Sequence, residues 1–234
     1  MATQLNLEEQ EQLDELKHFW KQWGNLITWV LIVVMGAYAA WNAYQYYQRS
    51  QATQAAGMFT EVERSVASKD AAKIERALAD MNAKFGSTTY AQQAGLLAGK
   101  SLFELGKTDA AKAALNNVAQ NAKDEGYQAL AKLRLSAVAI EAKNYDDALK
   151  QLSGTFPSEF AALADDRRGD VYALQGKTAE AKAEYVKAYK GFDDKTAYRR
   201  LVEVKINALG GDAVTTSAVA ASNVTTTKTS GPAQ

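Results

Sequence analysis

An uncharged run of 27 residues near the start of the chain limits its possible folds more than any other feature. No Asp, Glu, Lys or Arg occurs between Lys21 and Arg49. The 19 apolar-rich residues 26–44 within it would span roughly 29 Å as a helix, close to the ~30 Å thickness of a bilayer core. Aromatic residues flank both ends, as at two membrane–water interfaces: Phe19, Trp20 and Trp23 before, and Trp41, Tyr44, Tyr46 and Tyr47 after. We predict one transmembrane helix over residues 22–47.

Two other interpretations of the run stay open. One is a buried core helix, although such helices rarely lack charge over this length. The other is a cleaved signal peptide, because Ala37-Tyr38-Ala39 resembles a cleavage site. Residues 1–21 contain five acidic residues and two lysines, whereas a signal peptide begins with positive charge. We therefore expect an uncleaved anchor that follows an acidic cytoplasmic segment, residues 1–21.

The charges beside the run favour a cytoplasmic N-terminus. Lys17 and Lys21 precede the run, and only Arg49 follows it before Arg64. Positive residues are retained on the cytoplasmic side of a span, and acidic residues contribute little to that rule. The rest of the chain is then expected on the exported side, on a small difference in charge.

Three segments after the run repeat at intervals near 34 residues. Each has a small residue, a turn residue seven positions later, an alanine five further on and a large apolar residue four beyond the alanine. These residues are Gly99, Gly106, Ala111 and Leu115; Ser136, Lys143, Ala148 and Leu152; and Gly169, Gly176, Ala181 and Tyr185. A repeat of this length is typical of stacked helix–turn–helix units, with small residues where the helices cross.

The repeats predict an all-α fold, which the two prolines and the abundance of helix-forming residues also favour. A degenerate earlier copy places Lys69, Ile74, Leu78 and Met81 in the same register. We assign residues 48–210 to a tetratricopeptide-like helical-hairpin solenoid. The alternative is an Ala-rich helical bundle without true repeats.

The end of the chain is predicted to contain a closing helix and a tail. A helix over residues 195–209 would place Tyr198, Leu201, Val202 and Ile206 on one face and protect the end of the stack. Gly210-Gly211 would stop it. Residues 211–234 are rich in Thr, Ser and Ala and are predicted to be disordered.

The sequence predicts neither an enzyme nor a cofactor or metal site. It has no cysteine, one histidine (His18) and zero net charge, which argues against thiolate or His-rich metal sites and against general nucleic-acid binding. Leu105-Gly-Lys-Thr108 ends like a phosphate loop, but Ser101 occupies the position of that motif's first glycine. Asp165-Asp166 and Asp193-Asp194 are expected on solvated helix faces.

The first helix of each repeat is expected to line a concave face that binds other chains. The predicted lining consists of Gln93, Leu96, Lys100 and Phe103, then Leu130, Leu133, Ala137 and Ile140, then Leu163, Asp166 and Asp170. These residues would form an apolar groove with one acidic end. The alternative is that several of the leucines belong to the core between repeats.

The order of these segments resembles a known family. The resemblance lies in the Trp-Gly-Asn-Leu-Ile start of the anchor and in the Gly-Lys-Thr-Asp-Ala-Ala and Gly-Lys-Thr-Ala-Glu-Ala turns. Over residues 1 to about 210, the chain is similar to the YfgM-type family of bacterial inner-membrane proteins, ancillary subunits of the SecYEG translocon. The resemblance implies a periplasmic repeat domain. It also implies association with SecYEG, with a membrane-anchored periplasmic chaperone of the prolyl-isomerase class and with newly exported polypeptides.

Two functions remain open at this stage. One is an interaction scaffold in the lipid bilayer, which concentrates chaperone and exported chain at the translocon because tethering raises the effective concentration. The other is a membrane-tethered regulator that sequesters a single signalling partner through its repeat groove.

Overall fold

The computed structural model describes residues 7–210, and their side chains at Leu13 and from Lys17 onward. Every regular element in that range is an α-helix, which confirms the predicted fold class. The helices are α1 (Leu7–Ala67), α2 (Ala71–Phe85), α3 (Thr89–Glu104), α4 (Thr108–Asn121), α5 (Glu125–Glu141), α6 (Tyr145–Gln151), α7 (Ser158–Leu174), α8 (Thr178–Gly191) and α9 (Ala197–Ala208). The predicted tail, residues 211–234, and the first six residues of the acidic segment lie outside the described residues.

The chain divides into two compact units after Gln54. The first unit contains most of α1, including a stretch long and apolar enough to cross a membrane, none of which is buried within the protein. Trp29, Val33 and Met35 expose 62%, 64% and 70% of their surfaces. A helix that is apolar on all sides and uncovered by protein is typical of a membrane span. The single N-terminal transmembrane helix is thus confirmed, although α1 itself continues to Ala67.

The second unit consists of helical hairpins in the predicted register. The end of α1 pairs with α2, and the hairpins α3–α4, α5–α6 and α7–α8 follow. The turn residue of each hairpin has a left-handed backbone, and α9 ends in another such residue. Their φ values are +53° at Lys69, +75° at Gly106, +57° at Lys143, +75° at Gly176 and +71° at Gly210. The predicted turns, including that of the degenerate copy, are therefore confirmed. The spacing of 34 residues from Gly176 to Gly210 shows that α9 is the first helix of a further half-repeat.

The small residues lie where the two helices of a hairpin approach each other, as predicted. A Cβ atom placed on Gly99 would lie 2.7 Å from Cγ of Leu115, and one on Gly169 would lie 2.5 Å from Cδ1 of Tyr185. Ser136 is fully buried at the equivalent position and donates a hydrogen bond to the carbonyl of Leu133. Only very small side chains fit at this position because helix backbones come close there.

The core is divided into clusters that follow the stack. Each cluster joins consecutive helices, so every hairpin buries its apolar face on its neighbours. The first cluster, from the end of α1 to α4, contains Val62, Ile74, Met81 and Leu102, and the second, from α3 to α5, contains Leu96, Leu115, Leu135 and Val138. The third, from α5 to α7, contains Leu133, Leu152, Phe156 and Val171, and the fourth, in α8 and α9, contains Tyr185, Val202 and Ile206.

The lysine at the third hairpin turn gives a stability prediction. A lysine at φ +57° is strained, whereas glycine adopts this conformation without penalty. We expect Lys143→Gly to raise the free energy of unfolding by about 0.5–1 kcal/mol, measured by urea denaturation followed by circular dichroism. Gly106→Lys is the reciprocal control and should lower it by a similar amount. Equal stability of Lys143→Gly and the parent chain would show that the turn is unstrained.

Candidate partner-binding surface

The first helices of the repeats present one accessible face. The residues that lie six, nine and thirteen positions before each turn residue are on the same side of a helix. On α3, α5, α7 and α9 these positions define what we call the first-helix face. It consists of Gln93, Leu97 and Lys100; Leu130, Arg134 and Ala137; Leu163, Arg167 and Asp170; and Ala197, Leu201 and Val204. None of these twelve side chains is buried, so the face is available to another chain.

Six of the predicted groove residues belong to this face, and five do not. The six are Gln93, Lys100, Leu130, Ala137, Leu163 and Asp170. Phe103 and Ile140 are half-buried against the clusters beneath them. Leu96, Leu133 and Asp166 are buried, contrary to the prediction. All three lie ten residues before a turn, and a helix turns that position toward the core, whereas the next position is only partly buried.

The predicted acidic end is absent because α9 neutralises it. Nζ of Lys205 lies 2.7 and 2.9 Å from the two carboxylate oxygens of Asp166, and 2.7 Å from Oδ1 of Asp170. The hydroxyl of Tyr198 donates to Asp166 at 2.8 Å, and that of Tyr185 donates to Asp170 at the same distance. The two aspartates therefore attach α9 to α7 and α8 instead of offering charge to a partner.

The two tyrosines stay protonated in this network. Burial, followed by the hydrogen bond to Asp166, raises the pKa of Tyr198 to about 12. Burial and the bond to Asp170 likewise raise the pKa of Tyr185. Deprotonation would place an anion beside a carboxylate, so both phenols remain hydrogen-bond donors at neutral pH.

A second network on the other side of α7 is also structural. Nε of Arg168 lies 2.9 Å from Oε2 of Glu184, its Nη1 donates to the carbonyl of Leu152, and it pairs with Asp165. Burial raises the pKa of Asp165 in spite of Arg168. Burial also acts to raise the pKa of Glu184, but hydrogen bonds from Lys187 and Arg168 lower it overall. The solvated-face prediction was thus wrong for Asp165-Asp166, whereas Asp193 and Asp194 are exposed.

Exposed apolar side chains lie at the α9 end of the face, where the acidic end was expected. Leu174, Leu201 and Val204 expose 55%, 46% and 62% of their surfaces. Leu201 was predicted on the buried side of the closing helix, but the buried side contains Val202 and Ile206. At the opposite end, Lys100 lies 3.7 Å from Glu104 and is exposed. The face therefore carries charged side chains on α3, α5 and α7 and only apolar ones on α9.

The structure also contains a cavity of about 420 Å³ beside the turn before α5, where Lys132 lies over the ring of Phe156. Within residues 7–210 no group of three or more His, Asp or Glu side chains could hold a metal ion.

An unburied apolar helix joined to stacked helical hairpins defines a membrane-anchored protein of the tetratricopeptide-like class. In agreement, residues 17–211 match the family described as a tetratricopeptide repeat-like domain. Three relatives carry the description "Ancillary SecYEG translocon subunit". The relative from Neisseria gonorrhoeae is 33% identical over 205 residues, which cover 87% of this chain and 98% of the relative. Those from Haemophilus influenzae and Escherichia coli are 28% identical over 207 residues and 25% identical over 201 residues, covering 87% and 86% of this chain and 98% and 96% of the relatives.

The chain belongs to the YfgM-type family of ancillary SecYEG translocon subunits. This is the family that the anchor and the repeat turns indicated. Within residues 7–210 one helix is long and apolar enough to cross a membrane, which together with the family fits a single-pass protein of the inner membrane.

Proposed function

We propose that this protein is a membrane-anchored scaffold at the SecYEG translocon whose first-helix face receives partner chains. The observation that carries the proposal is this face, in which none of twelve equivalent positions on four helices is buried. Association with SecYEG is supported by the names of the three relatives. An anchored surface of modest affinity is sufficient because tethering raises the local concentration of its partners.

The proposal includes the topology and the partners that the resemblance implies. Residues 22–47 cross the inner membrane, the N-terminal segment is cytoplasmic and the repeat domain, residues 48–210, is periplasmic. The partners are a membrane-anchored periplasmic chaperone of the prolyl-isomerase class and newly exported polypeptides. The scaffold would then bring the chaperone to chains that emerge from the translocon.

Photocrosslinking in intact cells tests this proposal. A photoreactive amino acid at Val204 is expected to crosslink to the chaperone and to many exported chains, because Val204 is exposed at the apolar end of the face. The matched control is Ala183, which is exposed on α8 away from the face, and it should give few crosslinks. One stoichiometric folded partner would indicate the regulator instead. Equal crosslinking from both positions would contradict a binding role for the face.

The same position reports the topology. The chain has no native cysteine, so Val204→Cys provides a single labelling site. A membrane-impermeant maleimide should label it in spheroplasts and leave it unlabelled in sealed inverted vesicles. The reverse pattern would place the repeats in the cytoplasm and rule out a role with exported chains.

A further inference from the structure

An arginine without a counter-ion lies in the middle of the first-helix face. Arg134 on α5 is half-buried, and its Nη1 donates a hydrogen bond to the carbonyl of Leu96 at 2.7 Å. No carboxylate among the described side chains pairs with it, whereas Arg167 and Arg168 on α7 pair with Asp170 and Asp165. Because Arg134 is partly withdrawn from water, its pKa is lowered by burial. Within residues 7–210, the one hydrogen-bond acceptor that this partly desolvated cation has is a neutral carbonyl.

Neighbouring carboxylates on the face are already engaged. Asp170 accepts hydrogen bonds from Lys205 and Tyr185 in addition to its pair with Arg167. On α3, Glu104 pairs with Lys100. On α5 itself, Glu141 is exposed and lies two turns beyond Arg134. The described carboxylates thus leave Arg134 unpaired, and its positive charge is available to a group that another molecule supplies.

The apolar end of the face lies two first helices away from this charge. Packed helices are about 8–10 Å apart, and two such steps, from α5 to α7 and from α7 to α9, give a separation on the order of 16–20 Å. An extended chain advances about 3.3 Å per residue and covers that span in about five or six residues. Leu201 and Val204 then lie about six residues of extended chain from Arg134.

We propose that the first-helix face binds a polypeptide segment whose carboxylate pairs with Arg134 and whose apolar side chains, about six residues away, cover Leu201 and Val204. This inference rests on the proposed function and adds the chemistry of the bound segment. The guanidinium of Arg134 has free N–H donors that match a carboxylate, and such charge-assisted bonds are stronger than neutral ones. Charge complementarity favours an acidic and apolar segment over a basic one. The carboxylate belongs to an acidic side chain or to a chain terminus.

Fluorescence anisotropy with defined peptides tests the inference on the full chain in lipid nanodiscs, with empty nanodiscs as the blank. The acidic probe is a fluorescein-labelled, C-terminally amidated peptide that has one Glu six residues from a Leu-Val pair. A second probe has Gln in place of Glu. A third probe is the Gln peptide shortened so that this Gln is its last residue and has a free carboxyl group. We expect the acidic probe to bind roughly tenfold more tightly than the Gln probe, as one charge-assisted bond predicts. Tighter binding of the third probe than of the acidic probe would assign the carboxylate to a chain terminus.

Three variants separate the charge from the apolar contact. Arg134→Met keeps an unbranched apolar stem and should abolish the preference for Glu over Gln, whereas Arg134→Lys should keep part of it. Val204→Ser should weaken the binding of the Glu probe and of the Gln probe by the same factor, so that the ratio of their affinities is unchanged. Thermal unfolding of each variant shows whether the repeats remain folded. If Arg134→Met does not fold, the ratio of Glu-probe to Gln-probe affinity is measured for Arg134→Lys instead, and a ratio equal to that of the parent chain would contradict the inference.

Equal binding of all three probes, or no binding of any probe, would overturn the inference. So would a preference for Glu that survives in Arg134→Met. The proposed function would remain if crosslinking from Val204 still captured exported chains. Failure of that crosslinking is the separate result that would remove the scaffold role.

Discussion

Replacing Asp166 with alanine is expected to lower the free energy of unfolding by about 3–5 kcal/mol, the usual cost of breaking a buried ion pair from one side. Asp166 has no exposed surface and accepts hydrogen bonds from Lys205 and Tyr198. Its removal would leave the Tyr198 hydroxyl without its acceptor and Lys205 with Asp170 alone. The chain in detergent can be unfolded with urea and followed by circular dichroism.

Two further variants define the origin of that loss. Asp80 is exposed on α2, and Asp80→Ala should change stability by less than about 0.5 kcal/mol, as is usual for surface sites. The double variant with Asp166→Ala and Lys205→Met should be more stable than the sum of the single effects predicts, because it removes both charges together. A loss below about 1 kcal/mol for Asp166→Ala would show that α9 is not held by this pair.

Gly169→Ala is expected to lower the free energy of unfolding by about 2–3 kcal/mol, although alanine is a better helix former than glycine. The new methyl group would lie 2.5 Å from the ring of Tyr185, a distance that α7 and α8 can relieve only by moving apart. The ring cannot turn away freely because its hydroxyl is bonded to Asp170. Thermal unfolding of the full chain measures the effect.

The same substitution at Gly57 is the matched control. Gly57 is also helical, but a Cβ atom there would meet no atom within 4 Å. Gly57→Ala should therefore raise the free energy of unfolding by about 0.5–1 kcal/mol through helix propensity and reduced freedom of the unfolded chain. If both substitutions changed stability in the same direction, close approach at Gly169 would not be its cause.

The anchor and the repeat register could be predicted because both depend on local pattern. A run without charge has a length that can be compared with a bilayer, and a repeated turn needs no knowledge of distant contacts. The fifth turn residue, Gly210, could have been predicted in the same way because it follows Gly176 by 34 residues. Gly95, whose added Cβ would lie 2.4 Å from Cγ2 of Val118, was also signalled by its spacing of one helical turn from Gly99.

The character of the binding surface was harder to predict because it depends on which neighbours cover each side chain. Asp166 and Lys205 are 39 residues apart, and only the packing of α9 against the α7–α8 hairpin brings them together. Leu201 and Val202 are consecutive apolar residues in a short helix, so periodicity alone does not tell which of them faces the core. That Arg134 has no carboxylate partner among the described side chains likewise emerges only from the packed structure.

The division of the core along the stack affects how such proteins diversify. Buried clusters in residues 55–210 are shared between successive helices, so one hairpin can be duplicated or lost while the packing at the remaining junctions is kept. The length of the first-helix face can then change by one hairpin at a time during evolution, while the transmembrane helix stays the same.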